Sequence, residues 1–311
     1  MRSEDAGDDE TCRAHGEENK RAGMTGQIAS MTGATCPSTD WRGLPTRQLD
    51  YSHTSMETQF TTNEENEAGC RERLRNYLTR LGWTNVEHSV DDLLSLSSGF
   101  EERFSWIDRF VSPEFKTHIL VSGSAVGSEL IVARRHGFGE VHGTEVDPEL
   151  FAIGESRFAG DPSFKPHFCS GVRLPYASGT FGCVVSGHVI EHSRAPFRYL
   201  AEHLRVLQPG GWLFLEFPHR YHPVELHTTT KSMEWLPWPL RDLALRVRAL
   251  RWRGRDAQRA RMADAVRVDL RPVSVWQIRA YLRVLLASRA RIVEIMFPSP
   301  GVVRLMISRS R

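Results

Sequence analysis

Polar and apolar residues alternate with two different periods along this chain, and each period predicts a different kind of element. Near the start, large apolar residues recur twice at helical spacing: Leu74, Tyr77, Leu78 and Leu81, and then Phe100, Phe104, Ile107 and Phe110. Pro113 follows the second set. We therefore expect two helices before the first strand.

From residue 118 onward, short apolar runs alternate with helical patterns. The runs "THILVSG", "EVHGTEV", "PHFC", "FGCVVSGH" and "WLFLEFP" predict five strands. Helices are predicted between them, one over 128–136, one capped by Asp147 and Pro148, and one from Pro196 to the Pro209-Gly210-Gly211 turn. Strands and helices in this order predict a parallel sheet with helices on both faces. Ligands of such sheets bind at the carboxyl ends of the strands.

The last part of the chain predicts a helix and two more strands. Ser274 and Gln277 have the spacing of a capping box at the start of the helix. The run "RIVEIMFPSPGVVRLMISR" predicts an antiparallel hairpin with a Pro-Ser-Pro-Gly turn. The expected fold is α/β, Rossmann-like and doubly wound, with a mostly parallel seven-stranded sheet that ends in a C-terminal antiparallel hairpin.

These patterns divide the chain into five parts. Residues 1–66 have few large apolar residues and no period, which predicts a disordered acidic tail. The other parts are N-terminal helices over 67–117, a core over 118–218 that binds the cofactor, a lid or substrate insertion over 219–272, and a helix and hairpin over 273–311 that complete the sheet.

Charge changes this picture only locally. The formal net charge is +2 over 311 residues, which gives no general argument for nucleic acid or membrane. Residues 1–66 carry 12 Asp and Glu against 6 Lys and Arg, whereas 241–271 carry ten Arg against four Asp. We therefore expect the acidic segment to be solvated and the basic segment, 241–271, to contact a binding partner.

The remaining composition predicts a cytoplasmic protein. Five scattered cysteines without a CxxC pair are typical of a reducing compartment. We find no apolar run of membrane-spanning length and no signal peptide pattern.

The loop after the first strand has the small residues of a cofactor site. Gly123, Ala125 and Gly127 allow the backbone to approach a ligand, and the next helix offers free N–H groups at its start. Glu145 ends the second strand, where a carboxylate can accept hydrogen bonds from both hydroxyls of a ribose. The spacing is tighter than the GxGxxG of nicotinamide and flavin sites and favours S-adenosylmethionine.

Two further runs carry a family resemblance. "LPYASGTFGCVVSGHVIEH" and "LAEHLRVLQPGGWLFLEFP" resemble class I S-adenosylmethionine-dependent methyltransferases, in particular the methyltransferase type 11 group that acts on small molecules. The resemblance covers residues 118–218 and also implies the antiparallel strand at the end of the sheet.

The resemblance implies a cofactor site built from the ends of the first four strands. The implied residues are Gly123, Ser124, Ala125 and Gly127 below the methionine part, Glu145 on the ribose, Val146, Ser170 and Gly171 around the adenine, and Ser186 near the sulfonium. Val121, Ala125, Ser170 and Gly182 depart from the family pattern. These departures support a second hypothesis, a non-catalytic cofactor-binding or scaffold protein. An NAD-dependent oxidoreductase and an RNA methyltransferase are weaker alternatives.

Methyl transfer from a sulfonium mainly requires alignment of donor and acceptor, together with a base if the acceptor is a hydroxyl. The candidate bases are His188 after the fourth strand, and Glu225 and His227 after the fifth. For His188, packing or capping is an equally good interpretation, and an exposed loop is a serious alternative for the other two. The scheme needs no metal, and no ligand cluster is compelling. We predict methyl transfer to a small molecule at oxygen, such as a sugar, lipid or secondary metabolite.

The insertion combines Trp, Leu and Arg. Its simplest interpretation is a solvated helix packed on the core. A lid that favours anionic or lipid-linked acceptors comes second, with peripheral membrane contact through residues 235–255 as one form of it. Nucleic acid is not expected, because no RNA-binding motif is present.

Overall fold

The computed structural model describes residues 64–83, 85–225, 230–254, 260, 267, 270–284 and 289–310. Most of the predicted acidic tail therefore lies outside the described residues. The first described helix, α1, spans Glu64–Arg80 and so begins before the predicted limit at residue 67.

Within the described residues, three helices, not two, precede the first strand. After α1 come α2 (Val86–Leu94) and α3 (Ser98–Ile107), followed by a 3₁₀ turn at Pro113–Phe115. The sequence prediction missed α2, although its buried residues Val90, Leu93 and Leu94 have helical spacing. These residues pack together with α1 against the loop after the first strand, at Ala125 and Val126.

The alternation of strands and helices then follows the prediction. The elements are β1 (His118–Ser122), α4 (Ser128–Arg135), β2 (Glu140–Glu145), α5 (Pro148–Arg157), β3 (Phe164–Phe168), β4 (Phe181–Gly187), a 3₁₀ turn (Ile190–His192), α6 (Pro196–Val206) and β5 (Leu207–Pro218). Asp147 caps α5 as predicted, because its side chain accepts hydrogen bonds from the N–H groups of Glu149 and Leu150.

The described remainder contains β6 (Val224–Glu225), β7 (Thr230–Lys231), α7 (Trp238–Arg253), α8 (Val275–Val284), β8 (Ala290–Met296) and β9 (Val302–Arg309). The capping box is confirmed. Ser274 N–H donates to Gln277 Oε1 at 3.0 Å, and Gln277 N–H donates to Ser274 Oγ at 3.3 Å.

The predicted fold class is confirmed. Seven strands form one sheet in the order β3-β2-β1-β4-β5-β9-β8. The first five pair in parallel, whereas β9 pairs antiparallel with both β5 and β8. One hydrophobic cluster covers one face beneath α6 and α8, and a second covers the other face beneath α3 and α4. A doubly wound sheet of this kind has its ligand site at the carboxyl ends of the parallel strands.

One boundary prediction was wrong. The Pro209-Gly210-Gly211 segment lies inside β5 and does not precede it, because the strand already begins at Leu207. The pairing passes from Phe181–Leu207 to Cys183–Trp212, so the extra residues form an irregularity within the ladder. Gly210 has φ of 83°, which a glycine adopts at little cost.

Candidate functional site

The carboxyl ends of β1, β2 and β4 converge on one edge of the sheet, and the loop after β1 turns across that edge. The N–H groups of Gly123 and Ser124 both donate to the carbonyl of Thr144, at 2.8 and 3.0 Å. The loop is therefore fixed to the end of β2. This bond pattern places the predicted small residues beside Glu145.

Glu145 holds the loop through its carboxylate. One oxygen accepts hydrogen bonds from the N–H groups of Val146 and Asp147, at 2.7 and 2.9 Å, and the other accepts from Ala125 N–H at 2.9 Å. The residue is 2% exposed. A carboxylate offers about four lone-pair positions, so three are occupied and one is left for a further donor.

Burial also changes the acidity of this group. It raises the pKa of Glu145 to about 7, and the three backbone hydrogen bonds offset only part of that effect. The charged form of Glu145 is therefore partly populated at neutral pH. Ala125, whose N–H donates to this carboxylate, has φ of 47°, a left-handed conformation that costs an alanine energy.

The N-terminal helices cover part of the loop. Ala125 and Val126 are buried against residues of α1 and α2. The α1 residue Tyr77 donates a hydrogen bond to Asp147 at 2.8 Å.

Gly127 has no room for a side chain, because a Cβ there would lie 2.2 Å from the ring of Phe158. Of the four loop residues predicted to meet the cofactor, Gly123 alone is more than slightly exposed.

The other predicted cofactor residues lie in two places. Val146, Ser170 and Gly171 are partly exposed at the ends of β2 and β3. Ser186 differs, because it is fully buried and its hydroxyl lies 2.8 Å from that of Tyr199. Tyr199 donates in turn to Ser122 at 2.8 Å, so the Ser186 hydroxyl is engaged in a buried contact that links β4 to β1. Its place near the sulfonium stays a prediction.

A cavity of about 260 Å³ opens at this edge, between the strand ends and helices α2 and α3. Two glycines without side chains form part of the cavity wall: Gly123 after β1 and Gly187 at the end of β4. A Cβ at Gly187 would lie 2.9 Å from the guanidinium of Arg103. The cavity therefore connects the predicted cofactor loop with the residues that follow β4.

The floor of this cavity is a buried network of charges. Arg103 donates to Glu129 at 2.6 Å and to Glu216 at 2.5 Å. Glu216 also pairs with Arg304, which donates to Glu102 at 2.7 Å. Although burial by itself raises the pKa of Glu216, the charges of Arg103, His188 and Arg304 outweigh that effect and hold the pKa well below its usual range.

His188 lies between two carboxylates at the cavity wall. Its Nε2 is 3.2 Å from Glu216 Oε1, and its Nδ1 is 3.6 Å from Glu191 Oε1. Burial lowers the pKa of His188, but pairing with Glu191 and Glu216 more than compensates and raises it to about 9. This pairing favours the protonated imidazole at neutral pH. A protonated imidazole has no lone pair with which to act as a base. The base assignment for His188 stays a prediction.

The two other candidate bases are placed less fully. Glu225 ends the short strand β6, and only its backbone is described, whereas His227 lies outside the described residues. Among the residues that the structure describes, no group of three or more His, Cys, Asp or Glu could hold a metal ion. The base assignments for Glu225 and His227 stay predictions.

Sequence reasoning missed the charge network but not for lack of a signal. Glu216 and Arg304 each interrupt an otherwise apolar strand, in "WLFLEFP" and "VVRLMIS". The structure pairs these two positions directly across β5 and β9. Opposite charges in two strands predicted to be adjacent are expected to pair, because a buried charge requires a partner.

One departure from the family pattern has a packing cause. Gly182 stands where the family has an aspartate, and a Cβ at this position would lie 2.1 Å from the carbonyl oxygen of Phe115. The 3₁₀ turn at Pro113–Phe115 therefore admits glycine alone on β4. This departure gives no argument against a working cofactor site.

Comparison with known proteins places the same region in one family. Residues 120–215 match the family model described as "Methyltransferase domain". The ubiquinone/menaquinone biosynthesis C-methyltransferase UbiE of Ralstonia nicotianae is 26% identical over 163 residues, covering 49% of this chain and 67% of that protein. An uncharacterized methyltransferase of Mycobacterium marinum is 38% identical over 76 residues, covering 24% and 29% of the two chains.

Among solved structures, an S-adenosylmethionine-dependent methyltransferase from Mesorhizobium loti aligns with a TM-score of 0.49 and 14% identity. The alignment covers 69% of this chain and all of that one. No helix in the described parts of this chain has both the length and the apolar character needed to cross a membrane.

The sheet order, the loop after β1 and the matched family identify the protein class: this chain is a class I S-adenosylmethionine-dependent methyltransferase. The match to the "Methyltransferase domain" model covers residues 120–215 of the 311. The predicted enzyme class and the predicted cofactor are confirmed. The non-catalytic scaffold and the NAD-dependent oxidoreductase find no support in these matches.

Proposed function

We propose that this enzyme transfers the methyl group of S-adenosylmethionine to a small-molecule acceptor that binds as an oxyanion beside His188. The observation that carries this proposal is the cavity that joins Gly123 to His188 and Glu216. It brings the predicted donor loop and a protonated imidazole to the two sides of one space.

On the donor side, the loop backbone supplies the contacts. Gly123 is the loop residue open to the cavity, and its glycine backbone lets a ligand approach closely. We assign the methionine end of the donor to this place, the ribose to Glu145 and the adenine to the side of Val146, Ser170 and Gly171. Glu145 has one lone-pair position left, so the second ribose hydroxyl has to displace one of its backbone donors.

The residues therefore fit the cofactor with one adjustment. The bond from Ala125 N–H is the one we expect to yield, because it holds Ala125 in its left-handed conformation. S-adenosylmethionine itself supplies an activated leaving group. The protein contributes alignment and the exclusion of water, which together can account for about 7 to 11 kcal/mol of the barrier.

On the acceptor side, the charge of His188 replaces the base that the sequence predicted. An imidazolium next to the acceptor stabilises a phenolate or enolate, and so lowers the pKa of the acceptor hydroxyl instead of removing its proton directly. Arg103 and Arg304 line the same cavity, where each is paired with carboxylates. Glu225 and His227 remain our candidates for the group that carries the proton away.

An acceptor of this kind can be methylated at its oxygen or at an adjacent carbon. Oxygen was our expectation from the sequence. Carbon is the second candidate, because the matched relatives are named as C-methyltransferases of ubiquinone and menaquinone biosynthesis. Both reactions start from the same oxyanion, so the proposed role of His188 holds for either.

The test is a product analysis. The full chain is incubated with methyl-labelled S-adenosylmethionine and a set of phenolic, enolic and sugar acceptors, and products are identified by mass spectrometry. We expect label on phenolic or enolic acceptors, with a rate that falls above pH 9 as His188 loses its proton. Label on sugars alone, or a rate that rises through pH 9, would contradict the oxyanion proposal.

A further inference from the structure

Helix α7 has apolar side chains on two opposite sides. Leu245 and Ala249 are buried, at 2% and 1% exposure. On the other side lie four exposed residues, which we call the outer stripe: Leu240, Leu243, Val247 and Leu250, at 55%, 58%, 41% and 61% exposure. Steps of three and four residues keep all four on one line along a helix with 3.6 residues per turn. A contiguous exposed apolar stripe indicates a contact surface.

Arginines border the outer stripe on both flanks. Arg246 and Arg253 lie on one flank of the helix and Arg251 on the other, and all three are exposed. The helix contains a single acidic residue, Asp242, which pairs with Arg246 at 2.7 Å and with Arg267 at 3.0 Å. The surface around the stripe is therefore apolar in its centre and positive at its edges.

The opposite side of α7 is fixed to the protein. Arg241 is 2% exposed and forms two hydrogen bonds with Glu234, at 2.6 and 3.0 Å. The carbonyl of Glu234 accepts a hydrogen bond at 3.0 Å from Arg220, which follows the end of β5. The helix is thus tethered near the carboxyl edge of the sheet, the edge that bears the cavity.

Trp235 extends the same character toward the start of the helix. Trp235 is 60% exposed, and its indole N–H donates to the carbonyl of Ser232 at 3.0 Å. Tryptophan with a satisfied polar group and an exposed ring is favoured at the boundary between lipid headgroups and acyl chains.

The charge pattern distinguishes between occupants. In a second copy of the chain, the stripe would bring the arginine flanks of two helices against each other, and like charges across a helix pair are destabilising. Nucleic acid matches the arginines but not an apolar centre. An anionic lipid surface matches both, because the leucines can insert among acyl chains while the guanidinium groups bind the negatively charged headgroups.

We propose that α7 docks this enzyme on anionic membranes, with the outer stripe inserted at the level of the headgroups. A helix of 16 residues is about 24 Å long and too short to span a bilayer, so it lies in the plane of the surface. Docking there would hold the lipid surface on the outer side of α7, whose inner side is tethered near the carboxyl edge of the sheet. The inference concerns attachment and does not depend on the proposed acceptor.

The experiment is sedimentation of the full chain with vesicles, without methyl donor. One set of vesicles is phosphatidylcholine, and the other contains about 30% phosphatidylserine, which carries the negative surface potential. We expect the protein to pellet with the anionic vesicles, and this binding to decrease as salt is raised.

Two double variants and a matched control test the surface. Leu243→Asp with Leu250→Asp removes the apolar centre, and Arg246→Gln with Arg251→Gln removes charge from both flanks. Each pair should lower binding to anionic vesicles roughly tenfold or more. Val284→Asp adds a charge on α8, at a residue that is 76% exposed, and should leave binding unchanged.

Three results would overturn the proposal. These are no sedimentation with anionic vesicles, binding that both double variants leave intact, and a dimer in analytical ultracentrifugation that the leucine variant dissolves. The last result would assign the stripe to a second copy. Because vesicle binding and methyl transfer are measured separately, failure of either leaves the other proposal standing.

Discussion

Replacing His188 by asparagine removes a buried positive charge that two carboxylates surround. Asparagine is neutral at every pH, and it tolerates the φ of 56° that the backbone adopts at this position. The variant therefore changes the charge with little backbone strain. Glu191 and Glu216 are left without the cation between them.

The size of the effect follows from the pKa. Folding raises the pKa of His188 from 6.5 to about 9, which corresponds to about 3 kcal/mol of stability when the group is protonated in both states. We take this value as a ceiling, because the side chain is 22% exposed and solvent screens part of the interaction. A raised pKa stabilises the fold fully below pH 6.5, and this contribution is lost as pH rises through 9.

Urea unfolding of both proteins across this range is the assay. The wild type should exceed the asparagine variant by about 2 to 3 kcal/mol more at pH 6 than at pH 10, with most of the change between pH 7 and pH 9. A difference that is constant with pH would refute the argument. So would an NMR titration that placed the imidazole pKa at or below 6.5.

Three substitutions test other parts of the fold, each by urea unfolding. Glu216→Gln should cost about 3 to 5 kcal/mol, because it leaves buried arginines without their shared carboxylate, and a loss below 1 kcal/mol would contradict the network. Gly127→Ala should be severely destabilising, by more than about 2 kcal/mol, since the new methyl meets the ring of Phe158; a neutral effect would show that the loop adapts. Ser274→Ala should cost about 1 kcal/mol through loss of the cap hydrogen bond to Gln277 N–H, and an unchanged midpoint would argue against the capping box.

The sequence predicted the fold well, because its signals are local. The apolar runs, the Asp147 cap and the Ser274 and Gln277 box each specify an element within a few residues. The missed helix α2 had a local signal of this kind as well. The boundary error occurred where a long-range contact decided the outcome. The Pro209-Gly210-Gly211 segment reads as a turn, but pairing with β4 extends the strand through it.

The candidate site was predictable in its loop and, among its charges, only in the pairing of Glu216 with Arg304 across adjacent strands. Gly123 and Glu145 could be proposed as cofactor residues because a strand, a small-residue turn and an acid lie at known separations. The protonation of His188 could not be found in this way, since it depends on Glu191 and Glu216 approaching from separate parts of the chain. Similarly, nothing in the sequence around Arg103 indicates that the residue pairs with Glu129 and Glu216.

The central claim is that Glu145 and the loop after β1 hold the methyl donor. Its most direct test is calorimetric titration of S-adenosylhomocysteine into the wild type and two variants, at a temperature where circular dichroism shows all three folded. Glu145→Ala removes the carboxylate at the end of β2, and Glu140→Ala removes a more exposed carboxylate at the start of the same strand. We predict tight binding to the wild type and to Glu140→Ala, and at least tenfold weaker binding to Glu145→Ala. Equal affinity for all three proteins, or no binding to the wild type, would contradict the claim.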